Sequence, residues 1–368
     1  MPQHKFLIEI PRPDDWHVHL RDTRMLEAVR AFTEVQFQHY LLMPNLIPPL
    51  DTAQQIAFYR ERVAGTGFED SVLRKRALFT FYLTRHTYWQ EIEAASPFIR
   101  AAKFYPDGGT TNSGSGLKSP RDINPDVLRA MEEFGNVLCL HGEVTADVQP
   151  DPLLREVEFI PHLAWLVSRY PRLKIVVEHV SDRRMLDAVY DMPENVAATI
   201  TGHHPFITNF DAVRDIHCNC MPVAKTGDDR DALAEAILTA DTQPKIFFGS
   251  DSAPHTEQGK HAGFAGVWSS PVAIPVLWDH FMSRGGLQSW DAFTAFTSTN
   301  GARFYGVGDE LSERPVLTLV RQDWRVPEEW LIDGPRSEPT PDNRLIPWKA
   351  GEVLPWRVLE LDWFGEAA

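Results

Sequence analysis

The sequence predicts a closed parallel α/β barrel, a (β/α)8 TIM-type fold with a C-terminal extension. Three observations point there. Eight short apolar runs alternate with longer, charge-bearing stretches of helical spacing. A polar or charged side chain recurs where several of those runs stop. No Gly-x-Gly-x-x-Gly follows the first run, so the alternative, a doubly wound open sheet, lacks its characteristic turn. Eight strands can close into a barrel without leaving an edge.

The strands are expected at 14–19, 40–45, 77–83, 101–105, 137–141, 174–179, 196–201 and 246–251. Amphipathic stretches at 25–36, 126–133, 158–168, 184–190 and 231–239 read as helices between them. The segment 107–119 is rich in Gly, Ser and Thr, and directly follows a strand. It reads either as a mobile loop over an active site or as a long surface loop. From about residue 314 the pattern changes: Pro and Trp become frequent (Trp324, Trp330, Trp348, Trp356, Trp363) and helical periodicity fades. We therefore expect a barrel over 1–313 and, over 314–368, an extension packed on it.

Bulk properties narrow the function. The chain has 368 residues, 43% hydrophobic and 24% charged, enough for a large core without staples. Its 36 basic and 51 acidic residues give a net charge of -15, which argues against nucleic acid or an anionic membrane as a partner. An anionic small molecule stays possible if positive charge is concentrated at its site. The three cysteines, Cys139, Cys218 and Cys220, are too few for a disulfide framework and fit a reducing compartment. Cys218-x-Cys220 has no second pair to complete a thiolate zinc site, and the plainer reading is small buried apolar residues. There is no signal-peptide core at the N-terminus and no apolar run of membrane-spanning length, so a cytoplasmic location is expected.

The chemistry concentrates at strand ends. Strand side chains alternate with period two, so His17 and His19 face the same way. In a barrel that way is inward, at the carboxyl end where active sites are built. Two such imidazoles can share a metal; the plainer reading is a pair of satisfied core histidines. The theme repeats in His141-Gly142-Glu143, Glu178-His179 and Gly249-Ser250-Asp251. Buried polar groups at such positions are costly unless paired or bound to a cation. Lys103 is alone in the apolar run at 101–105. Burial would favour its neutral amine, which can add carbon dioxide to form a carbamate; alternatively its ammonium snorkels to the rim.

These residues resemble the monofunctional bacterial-type (class II) dihydroorotases of the amidohydrolase superfamily. The resemblance rests on RPDDWHVHLRD at 12–22, Met43-Pro44-Asn45, KFYP at 103–106, Thr110-Thr111-Asn112, His141-Gly142-Glu143, Glu178-His179, SDSAPH at 250–255 and NGARFYG at 300–306. It implies reversible hydrolysis of dihydroorotate to N-carbamoyl-aspartate in pyrimidine biosynthesis, by a homodimer with two zinc ions per subunit. It implies that His17, His19 and Asp251 hold one metal and His141 and His179 the other. Carboxylated Lys103 would bridge them, and Asp251 would act as general acid and base toward a metal-bridging hydroxide. The resemblance further assigns Arg21, Asn45 and His255 to the substrate carboxylate. It gives the backbones of Met221, Ala265 and Gly266 to the ring amide, and Thr110 and Thr111 to a lid. Two other readings are another cyclic-amide hydrolase, hydantoinase-like, and a non-catalytic scaffold on the same fold.

Overall fold

Eight strands pair in parallel, each with its neighbour in sequence: β2 (Asp15–Val18), β3 (Tyr40–Leu42), β4 (Ala77–Tyr82), β5 (Ala101–Phe104), β6 (Val137–His141), β7 (Ile175–Glu178), β8 (Val196–Ile200) and β9 (Ile246–Phe248). The computed structural model describes residues 6–64, 76–308 and 311–361; Trp363 lies outside them. The ring closes between the first and last of these strands. The Asp251 N–H donates to the His17 carbonyl at 2.8 Å, and the His19 N–H donates to the Ser252 carbonyl at 3.0 Å. The barrel expected from the sequence is therefore the fold observed.

Helices alternate with the strands and bury one face each. Pro125–Phe134 shows why. Asn124 accepts a hydrogen bond from the Asp126 N–H at its start, Pro125 occupies the first turn, and Gly135 ends it at φ 71°. Its buried residues Val127, Leu128, Ala130 and Met131 form the stripe that packs on the barrel. The helices expected at 25–36 and 231–239 begin earlier, as Thr23–Glu34 and Gly227–Ile237. Ala53–Ala64, Trp89–Ala95 and Ala273–Gly285 add helices that the periodicity did not reveal.

Several strands are shorter than expected, and the reason is local. Their last predicted residues leave the extended region: His179 and Asp251 both stand at φ 44°. The chain thus turns out of the ladder at the residues that carry polar side chains, a strained conformation for non-glycine residues.

The amino end of the barrel is plugged. Trp16 stacks on Tyr305 at 4.4 Å with an interplanar angle of 4°, and the Tyr305 hydroxyl lies 3.2 Å from Cys139 Sγ. Gly301 allows this approach, since a Cβ there would stand 2.0 Å from Trp16 Nε1. Below the plug, Arg314 forms a buried pair with Asp14 at 2.9 Å, and Asp14 also meets His39 Nδ1 at 2.9 Å.

A second, antiparallel sheet joins β1 (Phe6–Pro11), β10 (Val316–Arg325) and β13 (Val353–Val358), so it draws strands from before and after the barrel. The short strands β11 (Trp330–Leu331) and β12 (Arg344–Leu345) pair separately. Trp356 of β13 meets Trp278 edge-on at 6.0 Å, and the Trp348 N–H donates to the Trp268 carbonyl at 2.9 Å. Trp356 thus packs on Trp278 of the outer helix Ala273–Gly285, and Trp330 meets Phe32 of Thr23–Glu34 edge-on at 5.1 Å.

Removing one partner of a buried ion pair strands the other charge, at a cost of about 3–5 kcal/mol. Arg314→Met should therefore lower the urea unfolding free energy by about that amount. A change within the scatter of surface substitutions would show that Asp14 does not depend on this partner.

Candidate active site

At the carboxyl end of the barrel, His17, His19 and Asp251 form a buried group that could hold a metal ion. His17 Nε2 lies 3.3 Å from His19 Nε2, and Asp251 Oδ1 lies 3.2 Å from the first and 3.1 Å from the second. Burial alone would raise the Asp251 carboxyl, but His17 and then His19 and His179 hold it well below the usual carboxylate range. Burial, with the Arg21 guanidinium, pushes His19 down to about 3. For His17 burial favours the neutral ring, yet the Glu178 carboxylate outweighs it and the pKa is raised.

Carboxylates behind the imidazoles fix which nitrogen faces inward. Glu178 Oε2 lies 2.5 Å from His17 Nδ1, leaving Nε2 toward His19 and Asp251. Thr199 Oγ1 donates to the same Glu178 oxygen at 3.0 Å. Glu143 Oε2 lies 2.7 Å from His141 Nε2, which leaves Nδ1 of that ring inward. Such outer partners orient histidines that bind metals. His179 sits with its ring 4.7 Å from that of His141 and 5.0 Å from that of His17.

Two buried nitrogens at this centre, His179 Nδ1 and Lys103 Nζ, have no hydrogen-bond partner among the described residues. Lys103 is fully buried, and burial lowers its pKa against the pull of Glu178, Cys139 and Asp251. An unpartnered amine and a ring nitrogen, both buried, are costly unless something else binds them. The convergent nitrogen and oxygen donors fit a cation such as zinc.

The remaining predicted residues gather on the same recess. Arg21, Asn45, Thr110, Thr111, Met221, Ala265 and Gly266 line it together with the four histidines and Asp251. Arg21 is anchored by donating from Nε to the Pro254 carbonyl at 3.1 Å, and its Nη2 lies 2.8 Å from His255 Nε2. Burial lowers Arg21 to about 10, so it stays cationic at neutral pH. His255 stands behind Arg21 and 3.0 Å from the Ala265 carbonyl oxygen. The loop at 107–119 lies over the recess. Thr111 Oγ1 donates to the Ala265 carbonyl at 3.2 Å, and Asn45 Nδ2 donates to the Thr111 carbonyl at 3.0 Å.

Lys103 lies beneath this lining, with Nζ 5.4 Å from the ring of Tyr105. Sequence reasoning missed Tyr105 and Ala253, which also line the recess, and the orienting roles of Glu143, Glu178 and Thr199. The two glutamates had a signal, since each is the acid beside a histidine in His-Gly-Glu or Glu-His. Thr199 sits mid-strand in an apolar run and had none.

No family model matches the chain. The chain is 40% identical over 363 residues to a dihydroorotase of Pseudomonas fluorescens, covering 95% of this chain and 97% of that one. It is 38% identical over 365 residues to a dihydroorotase of Laribacter hongkongensis, covering 95% and 99%. Its structure is similar to the dihydroorotase of Campylobacter jejuni, with TM-score 0.84 and 31% identity over 98% of this chain and 99% of that one. It is also similar to the Saccharomyces cerevisiae dihydroorotase bound to 5-fluoroorotic acid, with TM-score 0.83 and 32% identity over 96% and 98%. An L-hydantoinase of Arthrobacter aurescens shares the fold alone, at TM-score 0.76 and 15% identity over 96% and 83%.

Replacing Glu178 by Gln keeps the shape but takes the anion from His17 Nδ1. Metal affinity should fall by about 10–100-fold, the usual cost of losing an outer partner. Competition with a chelator of known affinity measures it, and unchanged retention would mean that Glu178 does not serve the metal through His17.

Proposed function

The chain belongs to the dihydroorotase family, and on that premise we propose how its residues interconvert dihydroorotate and N-carbamoyl-aspartate, a step of pyrimidine biosynthesis. One observation carries the reading: the His17–His19–Asp251 group and the Arg21–His255 pair meet in one recess. The first suits a metal and a proton carrier, the second a substrate carboxylate.

His17, His19 and Asp251 would hold one zinc ion, His141 and His179 a second, and Lys103 as its carbamate would bridge them. When bound, such a pair lowers the pKa of water toward neutrality and polarises a carbonyl. The unpartnered Nζ of Lys103 supports the bridge, because the neutral amine that burial favours is the form that adds carbon dioxide. Asp251 Oδ1 faces both imidazoles, which leaves Oδ2 to receive the proton of the attacking water. The same oxygen returns it to the ring nitrogen as the amide opens, and the order reverses on closure.

Arg21 would pair with the substrate carboxylate through its fork of N–H groups, helped by Asn45 and His255. The backbones of Met221, Ala265 and Gly266 would meet the ring amide. Thr110 and Thr111 would keep bulk water out. Arg21 and His255 favour this substrate over a neutral hydantoin, which has no carboxylate to place against the half-buried guanidinium. A non-catalytic scaffold is disfavoured because every expected side chain is present and all but Lys103 and His255 border the recess. The same family resemblance carries zinc as the metal, a homodimer and a cytoplasmic enzyme; no described helix is long and apolar enough to cross a membrane.

Asp251→Asn should keep most of the bound metal and lose turnover by about 10²–10⁴-fold, the range for a general acid or base. Metal analysis beside a dihydroorotate hydrolysis assay checks this, and near-normal turnover would remove Asp251 from proton transfer. Arg21→Met should raise KM for dihydroorotate about tenfold or more, as expected for a lost charge-assisted hydrogen bond. An unchanged KM would place the carboxylate elsewhere.

A further inference from the structure

A second buried group of metal-capable side chains lies outside the recess. The turn after β8 supplies His203 and His204, and the segment before Pro222 supplies Cys220. All three are buried, and their donor atoms lie within 4.8 Å of one another. None of the three lines the recess described above.

The spacing of the donor atoms suits a shared ion. Cys220 Sγ stands 3.5 Å from His204 Nε2. A sulfur and a nitrogen on one tetrahedral zinc, at bond lengths of about 2.3 and 2.0 Å, stand about 3.5 Å apart. The Pro222 carbonyl oxygen lies 3.1 Å from that nitrogen and 3.3 Å from that sulfur, where it could complete the set. Thr201 Oγ1 lies 2.9 Å from His204 Nδ1, and so fixes the ring from outside in the way outer partners do.

His203 is the observation that apolar packing leaves unexplained. It is 0% exposed, and neither of its ring nitrogens has a hydrogen-bond partner among the described residues. A buried polar group left so is costly. Cys220 and His204 can both be satisfied by the Pro222 carbonyl and Thr201; His203 cannot. Its ring lies 4.5 Å from that of His204, so a modest rotation brings a nitrogen to a shared ion.

The charge states are compatible with a ligand role. Burial pushes His204 down to about 4 and His203 well below its ordinary value, so both rings are neutral at pH 7. Burial pushes the Cys220 thiol up to about 12, while the neighbouring Lys260 ammonium opposes that rise. The free thiol therefore keeps its proton, and a metal would displace it to solvent.

We propose that His203, His204 and Cys220 form a site for one thiolate-preferring transition-metal ion, of which zinc is the type, separate from the active-site recess. The ion would tie the turn after β8 to the segment carrying Met221, which borders the recess. The assignment stands on these three residues and does not depend on which substrate the recess takes.

Cobalt tests it, because a thiolate on cobalt gives a near-ultraviolet charge-transfer band that a site of nitrogen and oxygen ligands does not. The full-length protein, produced with cobalt in place of zinc, should show that band. Cys220→Ser should abolish it and bind one cobalt fewer per chain, while Cys139→Ser and Cys218→Ser should retain it. His203→Gln should change the visible cobalt spectrum, as expected when a ligand is lost. Zinc-grown wild type should likewise carry one more zinc per chain than zinc-grown Cys220→Ser. No band in wild type, a band surviving Cys220→Ser, or equal metal content in the two proteins would overturn the site. Dihydroorotate hydrolysis by wild type tests the reading of the recess, whereas the band and the metal count test this site, so failure of one is distinguishable from failure of the other.

Discussion

The seam where the barrel closes is the constraint on which the rest depends. His19 and Asp251 are 232 positions apart, yet their side chains meet at 3.1 Å. They do so because the backbone of Asp251 bonds to that of His17, and the backbone of His19 to that of Ser252. Asp15 staples the same seam from below. Its carboxylate accepts from the His17 N–H at 3.1 Å, the Ser250 N–H at 2.8 Å and the Ser250 hydroxyl at 2.6 Å. Burial pushes Asp15 up to about 7 despite those three bonds. A barrel that failed to close there would still have helices and strands, but not this group of side chains.

Electrostatics then separates the two halves of the recess. The chain carries a net charge of -15, so an anionic substrate needs a local exception. On one side, buried imidazoles and Asp251 converge around a space that a cation would fill. On the other, Arg21 is held by a backbone carbonyl and His255, without a carboxylate at hydrogen-bonding distance among the described residues, so its charge stays available. Low dielectric strengthens both effects, and the loop carrying Thr111 helps to maintain it by lying across the opening.

Much of this was legible in the sequence because strand chemistry is local. Alternation placed His17 and His19 on one face, and the apolar runs located all eight strands. The ends of those strands were less legible. His179 and Asp251 adopt positive φ, a conformation imposed by tertiary packing that no propensity at those residues announces. Thr199 was invisible for a related reason: its hydroxyl matters only because β7 and β8 set it against Glu178. The assembly of β1 with β10 and β13 likewise depends on where the two chain ends meet, and not on the short alternating run at 6–11 itself. The grouping of His203 and His204 with Cys220 needed the fold as well, since Cys218-x-Cys220 had no second cysteine pair in the sequence and read as small buried apolar residues.

The central claim is that the closing seam builds a metal-dependent amide hydrolase acting on a carboxylated ring. Turnover of dihydroorotate after removal of bound metal, and again after zinc and bicarbonate are restored, tests it most directly. Hydrolysis should disappear with the metal and return with it. Hydrolysis that persists in the metal-free protein, or stays absent in protein that has taken zinc back, would contradict the claim.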